Sequence, residues 1–367
     1  MTTQAPRVSI IIVTWNGLHL LKQCLPSVVA TDYPNLEIII ADNASTDGTE
    51  TWVRKHYPSI RVIRHPENLG FSAGNNRAIE QATGKYIVLL NNDVEVPSNW
   101  LWPLVQAMEA DPLIGAAQPK FLQFEKRNWF EYSGAAGGYM DKYGYPFNRG
   151  RLFFTVEKDI GQYDTSTNIF WATGAAMMLR KSALDQVGLL DEIFYLHMEE
   201  IDLCWRLQRA GYRIRSVPTS QIYHIGGASL PRTNAQKLYY NFRNSLLLLY
   251  KNLPPRFWRQ LFLRRLLFDI GALLRTLIRL RWDETLAILR GYRDAFRLRH
   301  HYKNERPSEN DTVVLPPYQR SIVFDYFIRF RRRFSELPPQ HFLPEYRVTF
   351  ETPAADMAIT PILSQTE

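Results

Sequence analysis

Val8-Ser9-Ile10-Ile11-Ile12-Val13, running into Thr14-Trp15-Asn16, is repeated in kind by Leu36-Glu37-Ile38-Ile39-Ile40-Ala41, running into Asp42-Asn43-Ala44-Ser45-Thr46-Asp47-Gly48. Each is a short β-branched apolar run that ends in a polar loop. A strand with no polar alternation is one covered on both faces, as the strands of a parallel sheet are. Between the two runs, Leu18–Val29 has the spacing of a helix. Further along, Arg61-Val62-Ile63 reads as a third strand and residues 73–82 as a helix. Tyr86-Ile87-Val88-Leu89-Leu90 reads as a fourth strand, which closes on Asn91-Asn92-Asp93. Strands and helices alternating at this spacing predict βαβ units, hence an α/β chain with a mostly parallel sheet. Ligands on such sheets bind beyond the carboxyl ends of the strands, which is where the polar clusters fall.

The rest of the chain is less regular. Residues 115–170 scatter glycines among aromatics and read as hairpins and loops, with a second, antiparallel piece of sheet. Helical spacing returns at 181–187 and 200–210, and a last strand runs near 213–217 and again at 222–224. Residues 236–301 read as helical with a break at Pro254-Pro255, and the proline-containing segment from Arg306 reads as a loose wrap. The expected division is a catalytic domain at 1–235, a basic helical extension at 236–305 and a tail at 306–367.

Composition narrows the function classes. Hydrophobic residues at 46% and charged residues at 22% exclude a largely disordered chain. No apolar run approaches the roughly 18–20 residues of a membrane-spanning helix. Cys24 and Cys204 offer neither a disulfide framework nor a zinc spacing. With no signal-peptide pattern at the start, the expected location is cytoplasmic. Residues 251–310 hold 14 Lys/Arg and 6 Asp/Glu, which is the whole net charge of +8. Sign alone does not choose between nucleic acid, anionic lipid and an acidic substrate.

Four places carry residues suited to chemistry. Asp93 stands at a strand end, where one carboxylate suffices for a hard divalent cation that also takes phosphate oxygens and water; a simple turn accounts for the same cluster. Asp42 stands before a loop where a carboxylate can accept from a base or ribose. The plain alternative is an Asp47-Gly48 turn with Ser45 or Thr46 capping a helix. Glu199, Glu200 and Asp202 open a helix. Asp202 and Arg206 are i,i+4 partners, a structural pairing, whereas an ionised carboxylate in a first helical turn suits a base that takes a proton from a hydroxyl, or merely offsets the dipole. His224 follows a short strand and precedes Gly226-Gly227, which permits close approach of a ligand.

In their order along the chain, Val8–Asn16, Asp42–Thr49, Asn68-Leu69-Gly70-Phe71-Ser72-Ala73-Gly74-Asn75-Asn76, Leu89–Val94, Gly174–Met178, Val187–Glu192 and Glu199–Arg206 resemble the family 2 glycosyltransferases, in the subgroup of rhamnosyltransferases and other bacterial cell-surface glycan enzymes. The resemblance covers about residues 6–250. It implies a GT-A fold, a nucleotide-diphosphate sugar donor, Mg²⁺ or Mn²⁺, and inversion at the anomeric carbon. It implies that Thr14, Asn16, Asp42, Asn68, Gly70, Asn76, Asn91 and Asn92 line the donor, that Asp93 and His224 hold the metal, and that Glu200 is the base, with Glu199 as the alternative. Asn91 departs from the family's frequent Asp, and Glu200 from its usual Asp. A glycan or lipid-linked acceptor is implied, with rhamnose the first expectation for the sugar.

The C-terminal segment adds a membrane question. At 100° per residue, Arg259–Arg281 places Leu263, Leu266, Leu267, Ile270, Leu273, Leu274 and Leu277 on one arc. Arg264, Arg265, Asp269, Arg275 and Arg279 lie opposite, with Leu261 and Phe268 as exceptions. Such a helix either lies on an anionic membrane, peripheral to the cytoplasmic face of the inner membrane, or packs its leucines on the catalytic domain and leaves its basic side in water. A nucleotidyltransferase lacks its glycine-rich basic phosphate loop here, and no nucleic-acid recognition module is present. A catalytically silent glycan-binding scaffold is disfavoured by Asp93 and the two glutamates.

Overall fold

The two opening runs become β1 (Val8–Thr14) and β2 (Leu36–Asp42), joined by α1 (Leu18–Val29), in a computed structural model that describes residues 5–226, 235–309, 311, 313–344 and 347–348. Next come α2 (Thr49–His56), β3 (Arg61–Arg64), α3 (Gly70–Ile79), β4 (Tyr86–Leu90), the short β5 (Val94–Glu95), α4 (Leu101–Ala110) and β6 (Ile114–Gln123). Continuous apolar runs are explained by what covers them. Ile11, Ile39 and Leu89 enter one buried cluster, while Ile10, Ile12, Ile40 and Val88 enter another on the opposite face. Fully burying one such side chain contributes roughly 1.5–3 kcal/mol, so a two-faced core strongly specifies these strands. The register sets Thr14 beside Asp42.

A four-stranded antiparallel sheet follows, made of β7 (Gly138–Met140), β8 (Pro146–Asn148), β9 (Arg151–Leu152) and β10 (Thr155–Val156). The main sheet is completed by β11 (Thr167–Ile169), β12 (Ala176–Arg180) and, after α5 (Lys181–Val187) and α6 (Glu199–Arg209), β13 (Arg213–His224). Its order is β11-β13-β6-β12-β4-β1-β2-β3, with β5 paired to β13. β1 to β4 are parallel, β12 runs antiparallel between β4 and β6, and β13 lies parallel to β6. The last strand is continuous through the expected gap, with a register shift between Val217 and Gln221. This is the expected α/β architecture with a helical C-terminal region.

That region consists of α7 (Ala235–Asn252), α8 (Pro255–Ile278) and α9 (Trp282–Leu298). The Pro254-Pro255 break is present, and a second one occurs at residues 279–281, where Leu280 takes φ 53°. Leu246, Leu247, Leu248, Leu249 and Leu253 share the core cluster of the sheet, so α7 is part of the same packed body.

Two expectations are corrected. The segment after Arg306 is not a loose wrap through residue 344: Val313, Val314, Tyr318, Ile322 and Tyr326 are buried in the main cluster, and the Asp141 carboxylate accepts from Ile322 N–H at 2.9 Å. Its aromatics bury too much apolar surface to stay in water; residues 349–367 lie outside the described residues. The packed form of α8 is also turned over. Arg265 and Asp269 face inward as an ion pair (3.2 Å). Arg265 donates to Tyr143 O, Gly144 O and Ser245 Oγ, and Asp269 accepts from the hydroxyls of Tyr145 and Tyr292. Much of the leucine arc faces water instead.

Candidate active site

The carboxyl ends of β1, β2 and β4 meet, and their loops are cross-braced. Thr14 Oγ1 accepts from Asn92 Nδ2 at 2.9 Å. A Cβ at Gly17 would stand 2.3 Å from that Nδ2, so only glycine lets the β1 loop pass this close. Asn16, in the left-handed region at φ 49°, accepts from Thr46 N–H (2.8 Å), and its own N–H donates to Ser45 Oγ (2.9 Å). Ser45 and Thr46 therefore tie two loops together rather than cap α2, whose cap position is Gly48. Asp42 is fully buried and accepts from Arg64 Nη1 (2.9 Å) and Ser45 N–H (3.0 Å).

Asn68 folds the entry to α3. Its Oδ1 accepts from Gly70 N–H at 3.0 Å and Asn43 Nδ2 at 3.3 Å. Gly70 has φ 75°, and a Cβ there would strike the Tyr195 ring at 2.5 Å. Phe71 N–H donates to Tyr195 O, so this loop packs against the one that precedes α6. The half-buried Asn91 side chain has no hydrogen-bond partner among the described residues and is free for a ligand. Asn76 is not. Its Nδ2 donates to Leu190 O (2.8 Å) and Glu192 Oε1 (3.1 Å), and its Oδ1 accepts from Leu190 N–H (3.1 Å). With the whole amide spent on fixing the 190–192 segment, Asn76 holds structure and does not line the donor.

Pairing of β5 with β13 sets Val94 opposite His224, which brings Asp93 to the imidazole: Nε2 lies 3.0 Å from Asp93 Oδ1. A residue the sequence did not single out completes this group. Glu131, from the irregular stretch before Gly134, places Oε2 3.3 Å from His224 Nδ1. All three are buried. Burial alone would lower the His224 pKa, but the Glu131 and Asp93 charges outweigh it and push it up to about 10. Burial likewise opposes ionisation of both carboxylates, and the imidazolium reverses this and holds each below its usual range. Among the described residues no group of three or more His, Cys, Asp or Glu side chains is placed to hold a metal ion, so Asp93 and His224 offer at most a pair of ligands. A separation of 3.0 Å between nitrogen and oxygen matches that of neighbouring ligands around an octahedral ion bound at ~2.1 Å. Glu131 beyond the ring is the carboxylate that commonly orients a metal-bound histidine.

The second acidic group has the opposite character. Tyr195, His197 and Met198 all take positive φ (62°, 69° and 74°) immediately before α6. Non-glycine residues hold such angles only where their surroundings over-determine them. Here Asn244 of α7 does so, its Nδ2 lying 2.9, 2.9 and 2.7 Å from the carbonyls of Phe194, Leu196 and His197. This turn delivers Glu199, buried, and Glu200, half-buried beside Gly174 and Phe71. One oxygen of each carboxylate, Oε2, is buried with no hydrogen-bond partner among the described residues. Burial raises both pKa values, and the Glu200 charge raises that of Glu199 further. His197 Nε2 is likewise unpartnered, and burial, then Lys237, drives that ring down to about 4. Asp202, in the same first turn, is compensated by Arg206 (2.8 Å), Lys251 (3.0 Å) and Asn252 (2.8 Å), the structural role its spacing predicts. A cavity of about 550 Å³, lined by Tyr139, Asn168, Arg215, Phe334 and Phe342 among others, shares no residue with either acidic group.

Residues 9–188 match glycosyl transferase family 2. Among curated proteins, the chain is 26% identical over 255 residues to an N-acetylglucosaminyl-diphospho-decaprenol L-rhamnosyltransferase of Mycobacterium tuberculosis, covering 65% of this chain and 83% of that one. It is 29% identical over 230 residues to an O-antigen biosynthesis protein of Myxococcus xanthus, covering 61% of this chain but only 18% of that longer protein. Among solved structures, that of GalNAc-T7 with UDP, GalNAc and Mn²⁺ superposes with a TM-score of 0.52 at 16% identity, over 73% of this chain and 58% of the other. That likeness is one of fold, and it agrees with the mixed sheet and flanking helices described above. Residues 9–188 thus carry a glycosyl transferase family 2 domain, set in a GT-A-like fold.

Proposed function

We propose that the protein is a metal-dependent inverting glycosyltransferase. It would move a sugar, with rhamnose the first to test, from a nucleotide-diphosphate donor to a hydroxyl of a growing, lipid-linked cell-surface glycan at the cytoplasmic face of a membrane. The observation that carries this reading is the pairing, in one GT-A-like domain, of a charge-compensated Asp93–His224 group with an uncompensated Glu199–Glu200 pair. The names of the two relatives support a lipid-linked, cell-surface acceptor, and the Mn²⁺ bound by GalNAc-T7 supports a divalent ion.

Asp93 and His224 would hold that ion, Mg²⁺ or Mn²⁺, and bound there it would supply countercharge to the departing diphosphate. Thr14, Asn16, Asp42, Asn68 and Gly70 shape the loops that enclose the nucleotide, and Asn91 and Asn92 stand beside the diphosphate. Glu200, the more accessible glutamate, takes the proton of the acceptor hydroxyl as that oxygen attacks the anomeric carbon from the face opposite the leaving group. One displacement inverts the configuration and needs no covalent intermediate. In this reading residues 1–235 carry donor site and base, while 236–305 brace them and face the acceptor's membrane; the latter division of labour rests on α7 holding the turn before Glu199.

A panel of nucleotide sugars, tested for protection against heat unfolding with and without Mn²⁺ or Mg²⁺, would identify the donor. Release of nucleoside diphosphate on a lipid-linked acceptor, with the product's anomeric configuration read by NMR, tests the reaction. Metal-independent turnover, or retention of configuration, would sink the reading.

A further inference from the structure

The inward face of α8 is polar and its outward face is greasy, the reverse of an ordinary surface helix. Leu263, Leu267, Ile270, Leu274 and Ile278 are 65, 72, 42, 51 and 81% exposed and recur at the i, i+4, i+7 spacing of one stripe. The stripe ends on exposed Leu280 and Trp282 at the turn into α9. Its orientation is fixed by the Arg265–Asp269 pair locked under Tyr145, Tyr292 and Ser245, so the leucines cannot simply rotate inward. Arg264, Arg275 and Arg279 flank the stripe and are exposed, without a carboxylate partner among the described residues. The one acid of the helix, Asp269, is buried.

A contiguous apolar stripe this exposed marks an interaction surface. Its charge decides what covers it. In a symmetric pair of copies the same patch meets itself, so rows of unpaired arginines would face each other with no acid between them. An anionic bilayer offers apolar chains to the leucines and phosphates to the arginines together. At 24 residues α8 is about 36 Å long, yet no helix among the described residues is long and apolar enough to cross a membrane. That leaves a helix lying in the plane of the surface.

We propose that α8 docks the enzyme on an anionic membrane, with the Leu263–Leu267–Ile270–Leu274–Ile278 stripe entering the acyl boundary and Arg264, Arg275 and Arg279 binding headgroup phosphates. The purpose of docking rests on the lipid-linked acceptor proposed above, whereas the docking itself rests on α8. Full-length protein is sedimented with phosphatidylglycerol-containing vesicles and with pure phosphatidylcholine vesicles, at low and high salt. Wild type should pellet with the anionic vesicles and be released by salt. The triple variants L267Q/L274Q/I278Q and R264Q/R275Q/R279Q should each partition about tenfold more weakly or worse, with unchanged melting temperature. Wild type that stays in the supernatant, or variants that bind like wild type, overturns the proposal. So does a dimer, seen without vesicles, that the glutamine variants convert to monomer, since the stripe is then a self-interface. Turnover of a short soluble acceptor separates the two readings. Turnover without vesicle binding removes docking alone, and vesicle binding without turnover removes the proposed reaction alone.

Discussion

Two buried acidic groups, Asp93 with His224 and Glu131, and Glu199 with Glu200, are handled by the fold in opposite ways. The first is compensated: two carboxylates flank one imidazole, and the charges hold one another ionised away from water. The second has no ion-pair partner among the described residues and carries unpartnered oxygens. Burying an uncompensated carboxylate is costly, and the group answers by raising its pKa. A compensated site keeps its charge in readiness for an exchange of one cation for another, proton for metal. An uncompensated site keeps a carboxylate poised to change protonation state. Under the function proposed above, countercharge falls to the first and proton transfer to the second.

The sharpest way to break that contrast is Glu200→Gln. It keeps shape but cannot take a proton, so kcat should fall by about 10²–10⁴-fold while donor affinity, measured calorimetrically, stays near wild type. In the intact enzyme kcat/KM should rise with pH through the raised Glu200 pKa, about 7, and the residual activity of the variant should lose that limb. If Glu199→Gln is the inactive variant and Glu200→Gln is active, the base is Glu199.

Asp93→Ala attacks the other group. Removing its charge should lower turnover at least ~100-fold, the scale of losing one electrostatic stabiliser. Excess chelator should do the same to wild type. Full turnover in chelator would leave the first group with no metal and erase the contrast drawn between the two.

Glu131→Gln sharpens the first group further. It leaves Asp93 and His224 in place but removes the carboxylate behind the ring, so the loss should appear in metal affinity, about 10–100-fold, more than in saturated kcat. Titration of Mn²⁺ followed by its paramagnetic resonance signal reads this directly, without turnover. Unchanged affinity would make Glu131 a purely structural neighbour.

How much of this was legible depends on whether the signal was local. The runs at Val8, Leu36 and Tyr86 declare two-faced strands by their own composition, and the turn chemistry at their ends is likewise local. Asp93 and the two glutamates stand out as candidates in the sequence because each lies at an element boundary the pattern sets. Glu131 did not, because it comes from an irregular segment and acquires meaning only when the main sheet brings His224 to it. Asn76 misled for the converse reason: an Asn-Asn pair beside a glycine-rich turn looks like a ligand set until Leu190, far along the chain, takes up the whole amide. On α8 a helical wheel separates two arcs but does not say which one faces in. That was decided by Tyr145, Tyr292, Ser245 and two carbonyls on other elements, which solvate the Arg265–Asp269 pair well enough to bury it. The aromatics after residue 313 hid in a proline-containing stretch that reads as loop.

The smallest expected effect tests the physical origin of the contrast. Glu199 has its folded-state pKa raised above the ordinary value near 4.3 by burial and by Glu200. Over the interval between those two values the folded state therefore binds more protons than the unfolded state, and stability falls as pH rises. The stability tied to this group is fully present below the unfolded pKa and is lost as pH climbs through the folded one. Glu199→Gln imitates the protonated carboxyl at every pH. It should consequently match wild type below about pH 4 and melt higher near pH 8, by on the order of 2 °C, the shift that a fraction of a kcal/mol to about 1 kcal/mol gives in a protein of this size. Asp202, in the same first turn, runs the other way, because Arg206 and Lys251 hold its pKa down to about 2 despite burial, so its contribution is present above the unfolded value and lost only in acid. Scanning calorimetry of metal-free wild type and Glu199→Gln from about pH 3.5 to about pH 8 reads the divergence. Curves that stay parallel would mean that Glu199 is solvated in some other way, and that the second acidic group is compensated after all.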